Sequence, residues 1–188
     1  LKFINAEGEH GSAIHIYAKN VLVENCAFED NHAEFGGVLS TNYQLHGAEN
    51  LKISYCNFTN NMGYSYNPKG DGAGGAVGAF AFNSEVSNCI IDSNWVKSDA
   101  AAFGGALQIG LNMSGSYGKV QNCIFKNNYA FSKSGLSHGG AGCVRNGVEY
   151  LNCIFINNTA DQGGALTMHA SANIVNCTFI NNTAKSLR

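Results

Sequence analysis

The sequence predicts an all-β fold, a single-stranded parallel β-helix of about six coils with three short strands per coil, and three observations lead there. A nine-residue pattern centred on cysteine occurs six times. A Gly-Gly pair leading into a small apolar segment follows each of the first five copies. The residues between these anchors are of strand type, broken by Asn and Gly, with no amphipathic i, i+3, i+4 stretch of useful length.

The copies read V-E-N-C-A-F-E-D-N at 23–31, I-S-Y-C-N-F-T-N-N at 53–61, V-S-N-C-I-I-D-S-N at 86–94, V-Q-N-C-I-F-K-N-N at 120–128, Y-L-N-C-I-F-I-N-N at 150–158 and I-V-N-C-T-F-I-N-N at 174–182. The second anchor begins at Gly36, Gly74, Gly104, Gly139 and Gly163, with a weaker form at Gly11-Ser12-Ala13-Ile14. Successive cysteines are 30, 33, 34, 30 and 24 residues apart, so the shortest step is the bare repeat and the others carry insertions. A repeat of that length is too short for a propeller blade of ~40–45 residues and lacks the leucine-rich pattern. One β-helix coil, stacked on the next at about 4.8 Å, fits it.

Stacking turns each repeat position into a column. Phe at +2 from the cysteine (Phe28, Phe58, Phe125, Phe155, Phe179, with Ile91 in the third copy) is an interior aromatic column. Asn at −1 sits where apolar alternation breaks, a corner that Asn turns by entering the left-handed region. Asn at +5 is present in all six copies; it is expected to close the third strand at a second corner, with amides bonded along the axis. Six of the seven cysteines form one interior file and Cys143 lies outside it. No CxxC pair is present; buried free thiols are the first expectation, and oxidation of some adjacent pairs is the alternative.

Composition narrows the function classes. The 188 residues suit one domain; only 13% are charged, while 23 are Gly, 25 are Asn and one is Pro, which excludes helical bundles, collagens and charged disordered tails. Net charge is −2 and the only arginines are Arg145 and Arg188, so no nucleic-acid partner is expected. No apolar run reaches the ~18 residues of a membrane span, so no membrane insertion by this segment is expected.

Insertions on consecutive coils emerge on one flank, because solenoid repeats keep their register. Those at 62–73, 95–103 and 129–138 are expected to gather Tyr64, Tyr66, Trp95, Phe103, Tyr129, Phe131 and His138 into one ligand-binding patch, beside Lys69, Asp71, Lys97, Asp99 and Lys133. Such a patch suits a glycan or a protein; the alternative is that the rings pack on one another and close the loops. A second pair of insertions, around 40–49 and 108–119, reads as plain loops. Catalysis by paired carboxylates finds little support, because the outward +3 position reads Glu29, Thr59, Asp92, Lys126, Ile156, Ile180. No catalytic residue, cofactor or metal is assigned.

The paired F-x-x-N and G-G-A-[ILV] motifs, as at Phe28 to Asn31, Phe125 to Asn128, Phe155 to Asn158 and Phe179 to Asn182 with their Gly-Gly partners, resemble the repeat of polymorphic outer membrane proteins. The stretch at 152–166 is also similar to adhesin-like surface proteins of methanogenic archaea. Ile91, Ser93 and Gly142-Cys143 depart from the pattern in single rungs. The resemblance implies a right-handed helix, residues 1–188 forming one domain within a longer array, and a place at the cell surface. It also implies a monomeric segment of a larger chain that attaches to a glycan or protein of another cell. A structural stalk is the second expectation and a polysaccharide lyase or hydrolase the third.

Overall fold

Two residues in each nine-residue copy take φ near +50°, and these bends shape the coil. At −1 they are Asn25, Tyr55, Asn88, Asn122, Asn152 and Asn176; at +4 they are Asp30, Asn60, Ser93, Asn127, Asn157 and Asn181. Asn and Asp enter this region at the lowest cost after Gly, which explains the choice at most of these corners. The chain therefore turns twice within each copy and each straight segment holds only a few residues.

The structure, a computed structural model, describes residues 1–41, 48–65, 72–79, 81–110, 117–145 and 147–185. The coil contains four strands rather than the three expected, because both bends interrupt pairing. Sheet A has seven strands, from Lys2–Ile4 to Thr178–Ile180, and carries the +2 column. Sheet B has seven, from Glu7–His10 to Thr183–Ala184. Sheets C and D have six each, from Ile14–Ile16 to Leu166–Met168 after the Gly-Gly pairs, and from Leu22–Glu24 to Ala172–Val175 before the cysteines. A short fifth sheet E, Gly72–Ala73, Ala102–Phe103 and Ser137–His138, joins the three coils with the long insertions. Neighbouring strands are parallel and in repeat register, as in Phe28↔Phe58 and Phe125↔Phe155.

Sheet A begins one copy earlier than the cysteine pattern. Phe3 pairs with Phe28 and Asn5 takes φ 53°, so Leu1 to Ala6 is a seventh copy with Leu1 in the cysteine position. In the +2 column, rings stack at 4.9 Å (Phe3–Phe28), 4.6 Å (Phe28–Phe58), 5.1 Å (Phe125–Phe155) and 4.8 Å (Phe155–Phe179). Ile91 fills the one gap and is itself fully buried.

The +5 asparagines do not make the corner; the residue before each of them does, and the +5 side chains point inward. Asn31, Asn61, Asn94, Asn128 and Asn158 are all 0% exposed. Each Nδ2 donates to Oδ1 of the next copy at 2.9–3.2 Å, from Asn31 through to Asn182. Each Nδ2 also donates to the +2 carbonyl of the copy before, and each backbone N–H donates to the same Oδ1 as the amide. Both amide hydrogens and both oxygen lone pairs are thereby used, which is what makes burial of a polar row tolerable.

The two glycines of the repeat have different tasks, shown by one pair. Gly104 needs φ +66°, where a Cβ would sit 2.2 Å from the Leu107 carbonyl oxygen. Gly105 has ordinary φ, but its Cβ would lie 2.1 Å from the Gly140 oxygen and 2.6 Å from the Tyr129 oxygen of the next coil. The chain thus runs directly against sheet B. This contact divides the interior into a main core and a small one of Val96, Ala102, Ala130 and Ala160 between sheets B and E.

Phe125→Ala should cost about 3–5 kcal/mol in chemical denaturation, as a fully buried aromatic truncation. Lys126→Ala, next along the strand, loses only a partly exposed pair with Asp92 and should cost no more than ~1 kcal/mol. Gly105→Ala should destabilise by about 3 kcal/mol because backbone atoms rather than side chains block the methyl.

Candidate binding face

Sheet B presents alternate residues to its two sides. Val96, Ala130 and Ala160, with Ser65, Ser98 and Ser132, are buried against the small core. Facing outward, Met62, Trp95, Tyr129 and Thr159 form one column in register, and Tyr64, Lys97 and Phe131 form the next. Phe131 is 37% exposed, and Trp95, Tyr64 and Tyr129 are half-buried. Lys97 Nζ lies 5.3 Å from the centre of the Tyr64 ring. Lys185 Nζ lies 4.6 Å from the Tyr129 ring centre and donates to its Oη at 3.1 Å. Tyr129 and Phe131 are 6.2 Å apart, centre to centre. The result is a flat aromatic strip set with two ammonium groups, four rings across three coils.

Phe103 and His138 belong to a different group. They are neighbours on sheet E, stacked at 5.0 Å; Phe103 is buried, as are Ala102 and Ser137, and His138 is half-buried. The Arg145 guanidinium lies 4.1 Å over Phe103, and His169 meets His138 edge-on at 5.1 Å. The expected single patch is therefore divided, because sheet E is a two-sided strand layer rather than a loop and sends its outward residues toward the end of sheet C. Tyr66, Lys69 and Asp71 lie outside the described residues. Arg145 and His169 were not expected here; neither stands in an insertion, and only the turn after sheet C brings them to Phe103.

Asp92 and Asp161 are each held by polar neighbours. Asp92 is partly buried, which opposes ionisation, yet hydrogen bonds from Asn127 and Ser93 and the Lys126 ammonium hold its carboxyl below the usual range. Asp161 accepts from both the backbone N–H and the hydroxyl of Ser137. Among the described residues no group of three or more His, Cys, Asp or Glu is placed to hold a metal ion.

All seven cysteines are free thiols. In the six-membered file, Sγ donates to the carbonyl two residues back, as in Cys56 to Ser54 at 3.2 Å and Cys89 to Ser87 at 3.1 Å. Hydrogen bonding with the neighbouring thiols of the file, followed by burial, holds Cys56 and Cys123 above the ordinary thiol range. Cys143, in sheet C between Gln108 and Thr167, is pushed up to about 12 by burial, with Arg145 pulling the other way. A thiol that ionises near 9 when unfolded and near 12 when folded stabilises the fold below pH 9 and loses that contribution as pH rises toward 12. Stability should therefore fall across this window, and Cys143→Ala should make the fall shallower in urea titrations at stepped pH. In native buffer, a thiol reagent should leave Cys56, Cys89, Cys123, Cys143 and Cys153 unmodified, and modify all seven in denaturant.

Among the described residues no helix is long and apolar enough to cross a membrane. Comparison with curated proteins and with solved structures gives no match. A family model described as a right-handed beta helix region matches residues 2–185, and the chain belongs to that right-handed β-helix family.

Proposed function

We propose that this β-helix is a non-catalytic attachment segment of a cell-surface protein, touching a glycan or a protein of another cell through the outward face of sheet B. The observation that carries this reading is the pair of in-register columns, Trp95–Tyr129 and Tyr64–Lys97–Phe131, on a rigid sheet whose other side is packed. Half-exposed rings held in fixed positions lose little freedom on binding and offer stacking faces, with Lys97 and Lys185 for polar contact. The motif resemblance to polymorphic outer membrane proteins supports a surface location and an adhesive role. Asp92 and Asp161 are engaged by Asn127, Ser93 and Lys126 and by Ser137, which supports a non-catalytic reading, since acid/base cleavage of a glycoside needs two carboxyl groups facing one bond.

A stalk or spacer role is the second reading, favoured by the unbroken interior amide row, which suits a rod as well as a scaffold. Glycan and cell-surface protein arrays separate the two. The chain should bind, and Trp95→Ala/Tyr129→Ala should lose most of that binding with an unchanged circular dichroism spectrum. Absence of binding by the unsubstituted chain would favour the spacer, and unfolding of the double variant would mean that the rings serve packing.

A further inference from the structure

A third row of left-handed asparagines marks a separate site. Asn20, Asn50 and Asn83, with φ of 58°, 54° and 54°, turn the corner between sheets C and D. Asn50 Nδ2 donates to Asn20 Oδ1 at 2.8 Å, and Asn83 Nδ2 to Asn50 Oδ1 at 3.3 Å. Unlike the interior row, these amides are exposed, and each retains an N–H and an oxygen lone pair for another partner. They line an open groove of about 590 Å³ that also touches Lys52, Lys119, Tyr117 and, between the two lysines, Glu85. Tyr117 occupies the next rung after Asn83; its ring is 45% exposed, and its hydroxyl is fixed by donation to Glu149 at 3.0 Å.

The charges of this groove are unusual for the molecule. Lys2, Lys19 and Lys126 each take a carboxylate on a neighbouring coil. Lys52 and Lys119 flank Glu85 in register, yet Glu85 accepts from Gln121 Nε2 at 2.9 Å and neither ammonium has an ion-pair or hydrogen-bond partner among the described residues. Two coils separate them, about 10 Å at the usual strand spacing.

We infer that this groove binds an acidic oligosaccharide lying along the helix axis, with sugar rings following the coils and an acidic group on every second ring. The asparagine row presents one donor and one acceptor per coil, which suits the hydroxyls of a pyranose chain that advances by about one coil per ring. Tyr117 offers a ring to stack on, and Lys52 and Lys119 sit at the spacing of alternate acids. The site is distinct from the face of sheet B and does not depend on what that face binds.

The test is isothermal titration calorimetry of the whole chain with a hyaluronan octasaccharide, in which acidic and neutral sugars alternate. A neutral chito-oligosaccharide and an oligoglutamate peptide are the comparison probes. Saturable binding that weakens in high salt is expected, about tenfold weaker in Tyr117→Ala and in Lys52→Gln/Lys119→Gln. All three substituted residues lie on the groove wall, and circular dichroism checks that the variants fold. Trp95→Ala/Tyr129→Ala should bind as the unsubstituted chain does. The inference is overturned if hyaluronan fails to bind, if oligoglutamate or the neutral sugar binds as tightly, or if the sheet B variant rather than the groove variants loses binding.

Discussion

The row of buried amides from Asn31 to Asn182 is the interaction on which the rest of the structure depends. An amide carried into an apolar interior costs several kcal/mol unless every hydrogen and lone pair is met, and here they are met by the same residue of the next coil and by the +2 carbonyl of the coil before. Any slip between coils would leave these groups unpaired and carry phenylalanine out of its column. Hydrophobic burial drives the chain to collapse, but phenylalanine, isoleucine and cysteine tolerate small displacements. The amide row supplies the register that the aromatic stack and the thiol file then follow.

Register at the interior is what gives the surface its order. Because the second glycine of the last four pairs (Gly75, Gly105, Gly140 and Gly164) lies against the backbone of sheet B, the interior pinches and a side lobe forms with its own core of small residues. Small residues inside leave the large ones of sheet B on the outward side, where Phe131 is exposed and Trp95 and Tyr129 are half-buried. The same logic yields the groove between sheets C and D, where an asparagine row at a corner faces solvent and Tyr117 replaces its next rung. One residue type thus serves as interior register, as corner and as an exposed binding row, depending only on its place in the coil.

Much of the fold was legible in the sequence, because nine-residue copies with fixed spacing determine which residues stack. The aromatic column, the thiol file and the flank of the insertions follow from that spacing. The seventh copy was hidden because Leu1 replaces the cysteine used to align the others. The asparagine at +5 was misplaced at a corner because its neighbour at +4 is often asparagine too, and composition cannot tell the inward amide from the turned one. The binding face was legible as a set of aromatic residues but not as a geometry. Nothing in the insertion at 95–103 distinguishes a loop from a two-sided strand, and that difference parts Phe103 and His138 from Trp95 and Tyr129. Tyr117 lies at the end of an insertion that reads as plain loop, and its value appears only when Asn20, Asn50 and Asn83 are seen to align beneath it.

The central claim is that the inward amides are locked between coils, and hydrogen exchange observed by NMR addresses it directly. The backbone N–H groups of Asn61, Asn94 and Asn128, which donate to a side chain rather than to a strand, should exchange as slowly as the N–H groups of sheet A. Their side-chain amide hydrogens should be protected with them, while those of the exposed corner residues Asn122 and Asn152 exchange freely. Side-chain amides of Asn61, Asn94 and Asn128 exchanging as fast as those corner residues, in a folded sample, would contradict the account.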